Sequence, residues 1–143
     1  GSYQPALAAG FVSGWEGNRL TAYPCAAGVW TIGYGHTKGV KQGDKCSEEQ
    51  AQEWLLEDLA DAQMRLAQYI NVPVTQNEFI ALVSLVFNVG VGNLSRSKLL
   101  RKLNSGDREG AAEEFLDFDL ANGKRLAGLT RRRKAEHDLF LTD

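Results

Sequence analysis

The spacing of hydrophobic residues divides the chain into a short β-like part and a long helical part. From Arg19 to Thr37 the apolar residues come in short groups, rich in β-branched and aromatic types and separated by Gly, which predicts a β-hairpin. An Ala-rich segment from Tyr3 to Ser13 precedes the hairpin and predicts a first helix. From Ser47 onward the apolar residues recur at helical spacing. The pattern therefore predicts an α+β fold.

The longest predicted helix covers residues 47–70. Its apolar residues at helical spacing are Ala51, Trp54, Leu55, Leu59, Ala62, Leu66 and Ile70. It begins at a capping-box pattern, Ser47-Glu48-Glu49-Gln50. It ends before Val72-Pro73, because proline disfavours helical backbone in the residue that precedes it. We expect this helix to connect a small hairpin-containing N-terminal lobe to a helical C-terminal lobe.

A second capping-box pattern, at residues 75–78, precedes the most apolar helix of the chain. The segment from Phe79 to Val89 is apolar on nearly every face except at Ser84 and Asn88, which predicts the centre of a helical core. Three further helices are predicted at Leu94–Leu103, Asp107–Leu120 and Thr130–Leu141. We predict a single domain over residues 1–143, with a small lobe at about 14–46, a connecting helix at about 47–70 and a helical lobe at about 71–143 that includes the N-terminal helix.

Composition excludes several classes of protein. A chain of 143 residues is long enough to bury a core as one domain, and a net charge of −2 gives no overall field for nucleic acid or membrane. No apolar run is long enough to span a bilayer. Two cysteines, Cys25 and Cys46, are too few for a disulfide framework. A single disulfide between them is an alternative, although two free thiols are the favoured interpretation.

Glu16 is the first candidate for chemistry. It is placed where the first helix ends, just before Gly17. A carboxylate at the negative end of a helix dipole, beside the apolar Trp15, is favoured in its protonated form. A general acid needs that form at neutral pH. A lone glutamate is more commonly a solvated surface residue, so only the neighbouring residues can support a catalytic role for Glu16.

Cys25 and Thr31 are those neighbours. Cys25 lies in the predicted hairpin turn and Thr31 in the second strand, so a hairpin folded over Glu16 would bring all three to one cleft. A thiolate is a base and a nucleophile. The alternatives are a small buried hydrophobe for Cys25 and an ordinary strand residue for Thr31. A Cys/His pair with His36 or His137 as base also stays open, although no cysteine-protease signature surrounds Cys25.

The same stretch resembles the phage-type lysozymes, the endolysins of glycoside hydrolase family 24. The motif residues are Glu16-Gly17, Arg19-Leu20, Ala22-Tyr23, Gly28 and Thr31-Ile32-Gly33-Tyr34-Gly35-His36-Thr37. Eight residues separate Glu16 from Cys25, and five separate Cys25 from Thr31. Further matches at residues 85–90, 99–104 and 128–133 extend the resemblance over nearly the whole chain. Because Cys25 occupies the second position of the motif, the chain resembles a subgroup of the family that has Cys in place of the catalytic Asp.

The resemblance implies a lysozyme-like fold and a muramidase. Such an enzyme hydrolyses the β-1,4 bond between N-acetylmuramic acid and N-acetylglucosamine in peptidoglycan, for host cell lysis. Glu16 would protonate the leaving oxygen, Cys25 would take the base-like role, and Thr31 would help to hold the attacking water. The family includes inverting enzymes, and the stereochemical outcome with Cys25 is left open. No metal or organic cofactor is implied.

The resemblance also implies roles outside the hairpin. Phe87, Asn88 and Thr130 would contact substrate, Arg133 would support the catalytic glutamate, and His36 would be a structural or salt-bridged residue. For Asn88 a core hydrogen bond is equally open, because an amide in an otherwise apolar helix needs a partner.

The basic run Thr130-Arg131-Arg132-Arg133-Lys134 could suggest nucleic acid. One short run at a helix start is weak evidence for DNA, and no reading helix lies beside it. In the family an Arg from this helix start reaches toward the catalytic Glu, which assigns Arg133 here and leaves Arg132 as the alternative. The other basic residues would suit an anionic wall or outer-membrane surface.

The expected partner is therefore the peptidoglycan glycan strand, without nucleic acid, and the expected state is a monomer. We expect synthesis in the host cytoplasm and action in the bacterial periplasm on the cell wall, by an export route that the sequence leaves open. Two alternatives remain. One is a lytic transglycosylase, which also uses a Glu but forms an anhydro product without water. The other is a non-enzymatic wall- or DNA-binding module built around the basic helix.

Overall fold

A computed structural model of the chain describes residues 4–25, 27–121 and 123–142. Its helices are α1 Ala6–Glu16, α2 Glu48–Ala67, α3 Gln76–Val89, α4 Val91–Ser95, α5 Lys98–Asn104, α6 Arg108–Glu114 and α7 Ala127–Phe140. Its strands are β1 Arg19–Pro24, β2 Trp30–Gly33, β3 Leu120–Ala121 and β4 Lys124–Arg125. Two compact units divide the described chain, one ending at Asp61 and the other beginning at Ala62. The lobe boundaries given above stay a prediction.

The first unit contains α1 and the predicted hairpin. Strands β1 and β2 are antiparallel, with Tyr23 opposite Thr31. A third extended segment lies on the other side of β1, where Ala22 N donates to the carbonyl of Asp44 at 2.8 Å and Cys46 N donates to the carbonyl of Leu20 at 2.9 Å. The backbone groups of β1 are therefore paired on both sides, which satisfies polar groups that a lone hairpin would leave to water.

Helix α2 follows the predicted amphipathic pattern. Ser47 Oγ accepts a hydrogen bond from the N–H of Gln50 at 3.0 Å and so caps the first turn. The buried positions at helical spacing are Ala51, Leu55, Leu59, Ala62 and Leu66. The helix ends at Ala67, three residues before the predicted end. Among the described residues, no helix combines the length and the apolar character needed to cross a membrane.

Helix α3 is the centre of the second unit. Its predicted capping box is present, since Thr75 Oγ1 accepts from Glu78 N at 3.1 Å and Glu78 Oε1 accepts from Thr75 N at 2.8 Å. All residues from 78 to 86 are buried. A helix buried on every face needs its few polar side chains to be hydrogen-bonded. In α3 this applies to Ser84, which is fully buried.

Two of the predicted helices are wrong in part. The segment Leu94–Leu103 is not one helix, because Ser97 interrupts it: Ser97 Oγ donates to the carbonyl of Leu94 at 2.6 Å and accepts from Leu100 N at 3.2 Å, which starts α5. The segment Asp107–Leu120 is helical only to Glu114, followed by a 3-10 turn at Phe115–Asp117.

The β3–β4 hairpin was not predicted. It occupies part of the region between the predicted helices, with Leu120 opposite Arg125 and Ala121 opposite Lys124. Its turn includes Gly123 at φ 78°, in the left-handed region that favours glycine. Helix α7 begins at Ala127, three residues earlier than the pattern predicted.

Candidate active site

Glu16 is the last residue of α1. Gly17 follows at φ 61° and ends the helix, because this left-handed backbone is accessible to glycine without strain. The side chain of Glu16 is half-buried. The indole of Trp15 is 37% exposed and packs at a tilt against Phe11, with ring centroids 6.4 Å apart. The glutamate is therefore held at a helix end beside an aromatic surface.

Cys25 lies directly after β1, in the turn that leads to β2. Its N–H donates to the carbonyl of Val29 at 2.9 Å, and its own carbonyl accepts from Gly28 N at 2.8 Å. The backbone N–H of Ala27 first, and then that of Val29, stabilise the thiolate and hold the pKa of Cys25 below its ordinary value. The Thr31 hydroxyl and Gly28 N–H act in the same direction, against a desolvation that raises the pKa. The turn therefore lowers the pKa of the thiol.

Thr31 shares a hydrogen-bond acceptor with Cys25. It is 4% exposed on β2, and its hydroxyl donates to the carbonyl of Val29 at 2.9 Å. Because the backbone N–H of Cys25 binds the same oxygen, the carbonyl of Val29 connects the backbone of Cys25 to the side chain of Thr31. The structure thus brings Cys25 and Thr31 together through one peptide group.

The second thiol, Cys46, lies on the extended segment beside β1, at the opposite end of the strand from Cys25. Cys46 pairs with Leu20 at one end of β1, and Cys25 follows the other end. Five residues of extended chain span about 16 Å, at roughly 3.3 Å per residue. A disulfide needs Cα atoms within about 7 Å. Both thiols are free, and the strand register keeps them from forming the bridge that the sequence left open.

His36 is buried and paired. Its Nδ1 lies 2.8 Å from Asp58 Oδ2, and its ring stacks on Trp54 with centroids 4.5 Å apart and planes 5° apart. Burial raises the pKa of Asp58, and the hydrogen bond from His36 opposes that rise. His36 therefore joins the end of the hairpin to α2. Among the described residues, no group of three or more His, Cys, Asp or Glu side chains could hold a metal ion.

Arg133, on α7, is fully buried in the second unit. Its Nε lies 2.7 Å from Glu136 Oε1, and its Nη2 donates to Glu136 Oε2 at 2.9 Å. Its Nη1 donates to Asn88 Oδ1 at 3.0 Å. Asn88 is exposed near the end of α3, and Phe87 beside it is half-buried. The arginine therefore fixes which way the Asn88 amide faces.

Sequence reasoning missed Glu136, although it is the centre of this cluster. Arg132 Nε also pairs with Glu136 at 3.3 Å, and Ser84 Oγ donates to Glu136 Oε2 at 2.5 Å. Burial raises the pKa of Glu136, and Arg133 opposes the rise most strongly among its neighbours. Arg131, by contrast, is exposed. The available signals were the Arg-to-Glu spacings of three and four and the lone Ser84 in an apolar helix.

Thr130 has a structural contact. Its hydroxyl lies 2.8 Å from Asp119 Oδ2 as a donor, and Arg125 Nη1 donates to Asp119 Oδ1 at 2.5 Å. Arg125 first, and Thr130 second, hold the pKa of the buried Asp119 below its ordinary value. Sequence reasoning missed Asp119 too, since no periodic pattern marks it. The carboxylate joins β4 to the start of α7.

Comparison with known proteins identifies the family. A sequence model of the family described as "Phage lysozyme" matches residues 13–136. The chain belongs to the phage lysozyme family. Both ends of the motif, Glu16 and Thr31, and the cluster around Glu136 lie within the matched residues.

Individual members of the family agree. An endolysin of Acyrthosiphon pisum secondary endosymbiont phage 1 is 50% identical over 130 residues, covering 88% of this chain and 89% of that protein. A SAR-endolysin of Bacteriophage PS119 is 39% identical over 129 residues, covering 90% and 77%. The solved endolysin from Escherichia coli O157:H7 phage FAHEc1 is similar at a TM-score of 0.87 and 35% identity, covering 98% and 94%. The predicted lysozyme-like α+β fold is confirmed, and the Cys-for-Asp subgroup stays a prediction.

Proposed function

We propose that Glu16, Cys25 and Thr31 are the catalytic residues of this lysozyme. The chain is a glycoside hydrolase, a muramidase that cuts the β-1,4 bond between N-acetylmuramic acid and N-acetylglucosamine in peptidoglycan during cell lysis. The observation that carries the assignment is the set of backbone N–H groups that lower the pKa of Cys25 beside the buried Thr31 hydroxyl. A thiolate at this position supplies the base that hydrolysis requires.

Each of the three residues has its own role in the hydrolysis. Glu16 gives its proton to the glycosidic oxygen as the bond to the anomeric carbon breaks. A water attacks that carbon and passes a proton to the Cys25 thiolate. The hydroxyl proton of Thr31 binds either the carbonyl of Val29 or the Cys25 thiolate, and in both cases its lone pairs are left to accept a hydrogen bond from the water. Glu16 recovers a proton from solvent and Cys25 releases one, which completes the cycle.

The contacts of Asn88 and Thr130 define what they could offer a sugar. Arg133 occupies the Asn88 carbonyl oxygen, which leaves the amide N–H groups to donate to a hydroxyl or acetamido oxygen of the glycan. Thr130 directs its hydroxyl proton to Asp119 or to the carbonyl of Leu126, so it would act toward substrate as an acceptor. Phe87 would supply an apolar surface. The pairing of Arg133 with Glu16 stays a prediction.

The place of action follows from the family. The chain acts on the bacterial cell wall, and its substrate is peptidoglycan. We propose that it reaches the wall from the host cytoplasm through the periplasm, as the name of the SAR-endolysin relative suggests for that protein. We propose a monomer, with no nucleic-acid partner, whose exposed basic residues such as Arg131 and Lys134 favour anionic wall or outer-membrane surfaces.

Mass spectrometry of digested peptidoglycan tests the reaction. Hydrolysis adds one water at each cut and leaves a reducing muramic acid, whereas a lytic transglycosylase leaves an anhydro product. Anhydro ends would contradict the water-based mechanism. An intact sacculus, together with salt-sensitive DNA retention, would contradict the enzymatic assignment and support a binding module. The anomer formed at the first cut separates attack by water from direct attack by sulfur.

A further inference from the structure

Glu48, the first residue of α2, accepts hydrogen bonds from two separate loops. Asn18 Nδ2 donates to its Oε2 at 2.5 Å, and the Tyr34 hydroxyl donates to its Oε1 at 3.0 Å. Gln52, one turn later on α2, donates to Oε1 at 3.3 Å. One carboxylate therefore holds two segments that are sixteen residues apart in sequence.

The two segments adjoin two of the three proposed catalytic residues, Glu16 and Thr31. Asn18 follows Glu16 by two residues, between the end of α1 and the start of β1. Tyr34 follows Thr31 by three residues, in a turn closed by two hydrogen bonds between Ile32 and His36, each 2.9 Å long. A displacement of either loop would be passed to its neighbour on the chain over only two or three peptide bonds.

The turn that carries Tyr34 is also seated against α2. Gly33 has φ 63°, and a Cβ added there would lie 3.1 Å from the Cβ of Ala51. This close approach leaves the turn little freedom to move toward the helix. The Tyr34 hydroxyl bond then restrains it from moving away, and burial of His36 restrains its far end.

We propose that Glu48 is a positioning residue for the hydrolysis, which fixes the end of α1 relative to β2 and so fixes Glu16 relative to Thr31 and Cys25. This inference rests on the proposed function of those three residues. Glu48 is itself exposed, and it has no contact with the reacting atoms in this assignment. Its bonds to Asn18 and Tyr34 are charge-assisted, which makes them stronger than ordinary neutral ones.

Positioning predicts a loss of rate more than a loss of stability. A catalytic group displaced by about 1 Å can cost about 100-fold in rate. We expect Glu48→Ala to lower kcat about 10- to 100-fold on soluble peptidoglycan fragments, with KM changed less than about twofold and the melting temperature nearly unchanged. Glu49→Ala is the matched control, because Glu49 is the next residue, is exposed and also lies in the first turn of α2.

The two loops can be released separately. Tyr34→Phe and Asn18→Ala each remove one donor, and each should lower kcat less than Glu48→Ala. The double variant should match Glu48→Ala, and adding Glu48→Ala to it should change nothing further. Glu48→Gln should be intermediate, because its amide oxygen accepts from one donor while its NH₂ group cannot accept from the other.

A spectroscopic readout reports the contact without any activity. The hydrogen bond to Glu48 is the largest cause of a raised pKa at Tyr34. Absorbance titration of the wild type against Tyr34→Phe isolates this phenol, and Glu48→Ala should move its pKa down toward the ordinary value of about 10. Glu49→Ala should leave it in place.

The outcomes separate the two proposals. An unshifted Tyr34 titration in Glu48→Ala, or a shifted titration with an unchanged kcat, would overturn the positioning role. A parallel loss of melting temperature and activity, with kcat per folded molecule intact, would overturn it in favour of a purely structural contact. Full activity in Glu16→Gln would overturn the proposed function and the positioning role with it, while the titration would still show whether the contact exists.

Discussion

At the scale of single residues, the turn at Cys25 shows how backbone groups can prepare a side chain for chemistry. The N–H groups of Ala27 and Val29 lower the pKa of the thiol without any ionisable partner, so the base proposed at Cys25 does not depend on a histidine beside it. His36, which the sequence also offered as a base, is held against Asp58 and Trp54 instead.

Glu16→Gln tests the acid. The substitution keeps the shape of the side chain and removes the transferable proton, so we expect activity to fall by at least about 100-fold with an unchanged fold. The measurement is clearance of cell walls together with a far-UV circular dichroism spectrum. A variant that clears walls near the wild-type rate would remove Glu16 from the mechanism.

Cys25 substitutions test the base. Cys25→Ser should be nearly inactive, because a serine hydroxyl does not ionise in this pH range, and alkylation of the native thiol should inactivate the enzyme. Cys25→Asp should retain activity and extend it to lower pH, since a carboxylate ionises near 4 and an ordinary thiol near 8.5. The measurement is the pH profile of kcat/KM, with Cys46→Ser as the control. Full activity in Cys25→Ser would contradict the assignment.

At the scale of elements, buried ion pairs and hydrogen bonds hold α7 against α3. Glu136, Arg132 and Arg133 from one helix meet Ser84 and Asn88 from the other. Removing one member of a buried ion pair leaves the other uncompensated, which is why such contacts are costly to break.

Arg133→Ala should therefore lower both stability and activity. Loss of the pair with Glu136 should reduce the free energy of unfolding by about 3–5 kcal/mol. Loss of the predicted pairing with Glu16, and of the contact that orients Asn88, should reduce the rate of the molecules that remain folded. Urea unfolding and turnover measured well below the melting temperature separate the two effects. The exposed Arg131→Ala is the control. Equal effects from the two substitutions would mean that the family's arginine is wrongly placed at Arg133, or that the pairing with Glu16 is wrong.

Asp119 makes stability depend on pH in the acid range. Its pKa is lower in the folded chain than in the unfolded chain, so its contribution is present above the unfolded value of about 3.9 and is lost as pH falls through the folded value. The difference in free energy of unfolding between wild type and Asp119→Asn should be constant above about pH 5 and shrink below about pH 4. Urea unfolding from about pH 5 down to about pH 3 measures it, and a difference that stays constant over this range would contradict the role of Asp119.

The elements that sequence predicted well are those with a local physical signature. The Thr75–Glu78 capping box and the period of α2 are written in neighbouring residues. The β3–β4 hairpin has two-residue strands, too short to show any alternation. The break at Ser97 was missed because the residues from Leu94 to Leu103 include no Gly or Pro that would mark the end of a helix.

The candidate site shows the same limit. The positions of Cys25 and Thr31 in one hairpin followed from local pattern, and the structure places them there. Glu136 was missed, since a charged residue on a helix rich in charges normally faces solvent and its partner Ser84 lies 52 residues away. The convergence of Asn18 and Tyr34 on Glu48 is likewise a property of tertiary structure.

At the scale of the whole molecule, the separation of Cys46 from Cys25 along β1 affects how long the enzyme can work. An accessible thiolate reacts with peroxide to give a sulfenic acid, which a second thiol nearby would normally rescue as a disulfide. The chain has two cysteines in all, and the strand register keeps the second one out of reach. Without that partner, a sulfenic acid at Cys25 would depend on a thiol from outside the chain for rescue, or would stay open to oxidation to the irreversible sulfinic acid. A protein that needs only to open the cell once would lose little by such a limit on its lifetime.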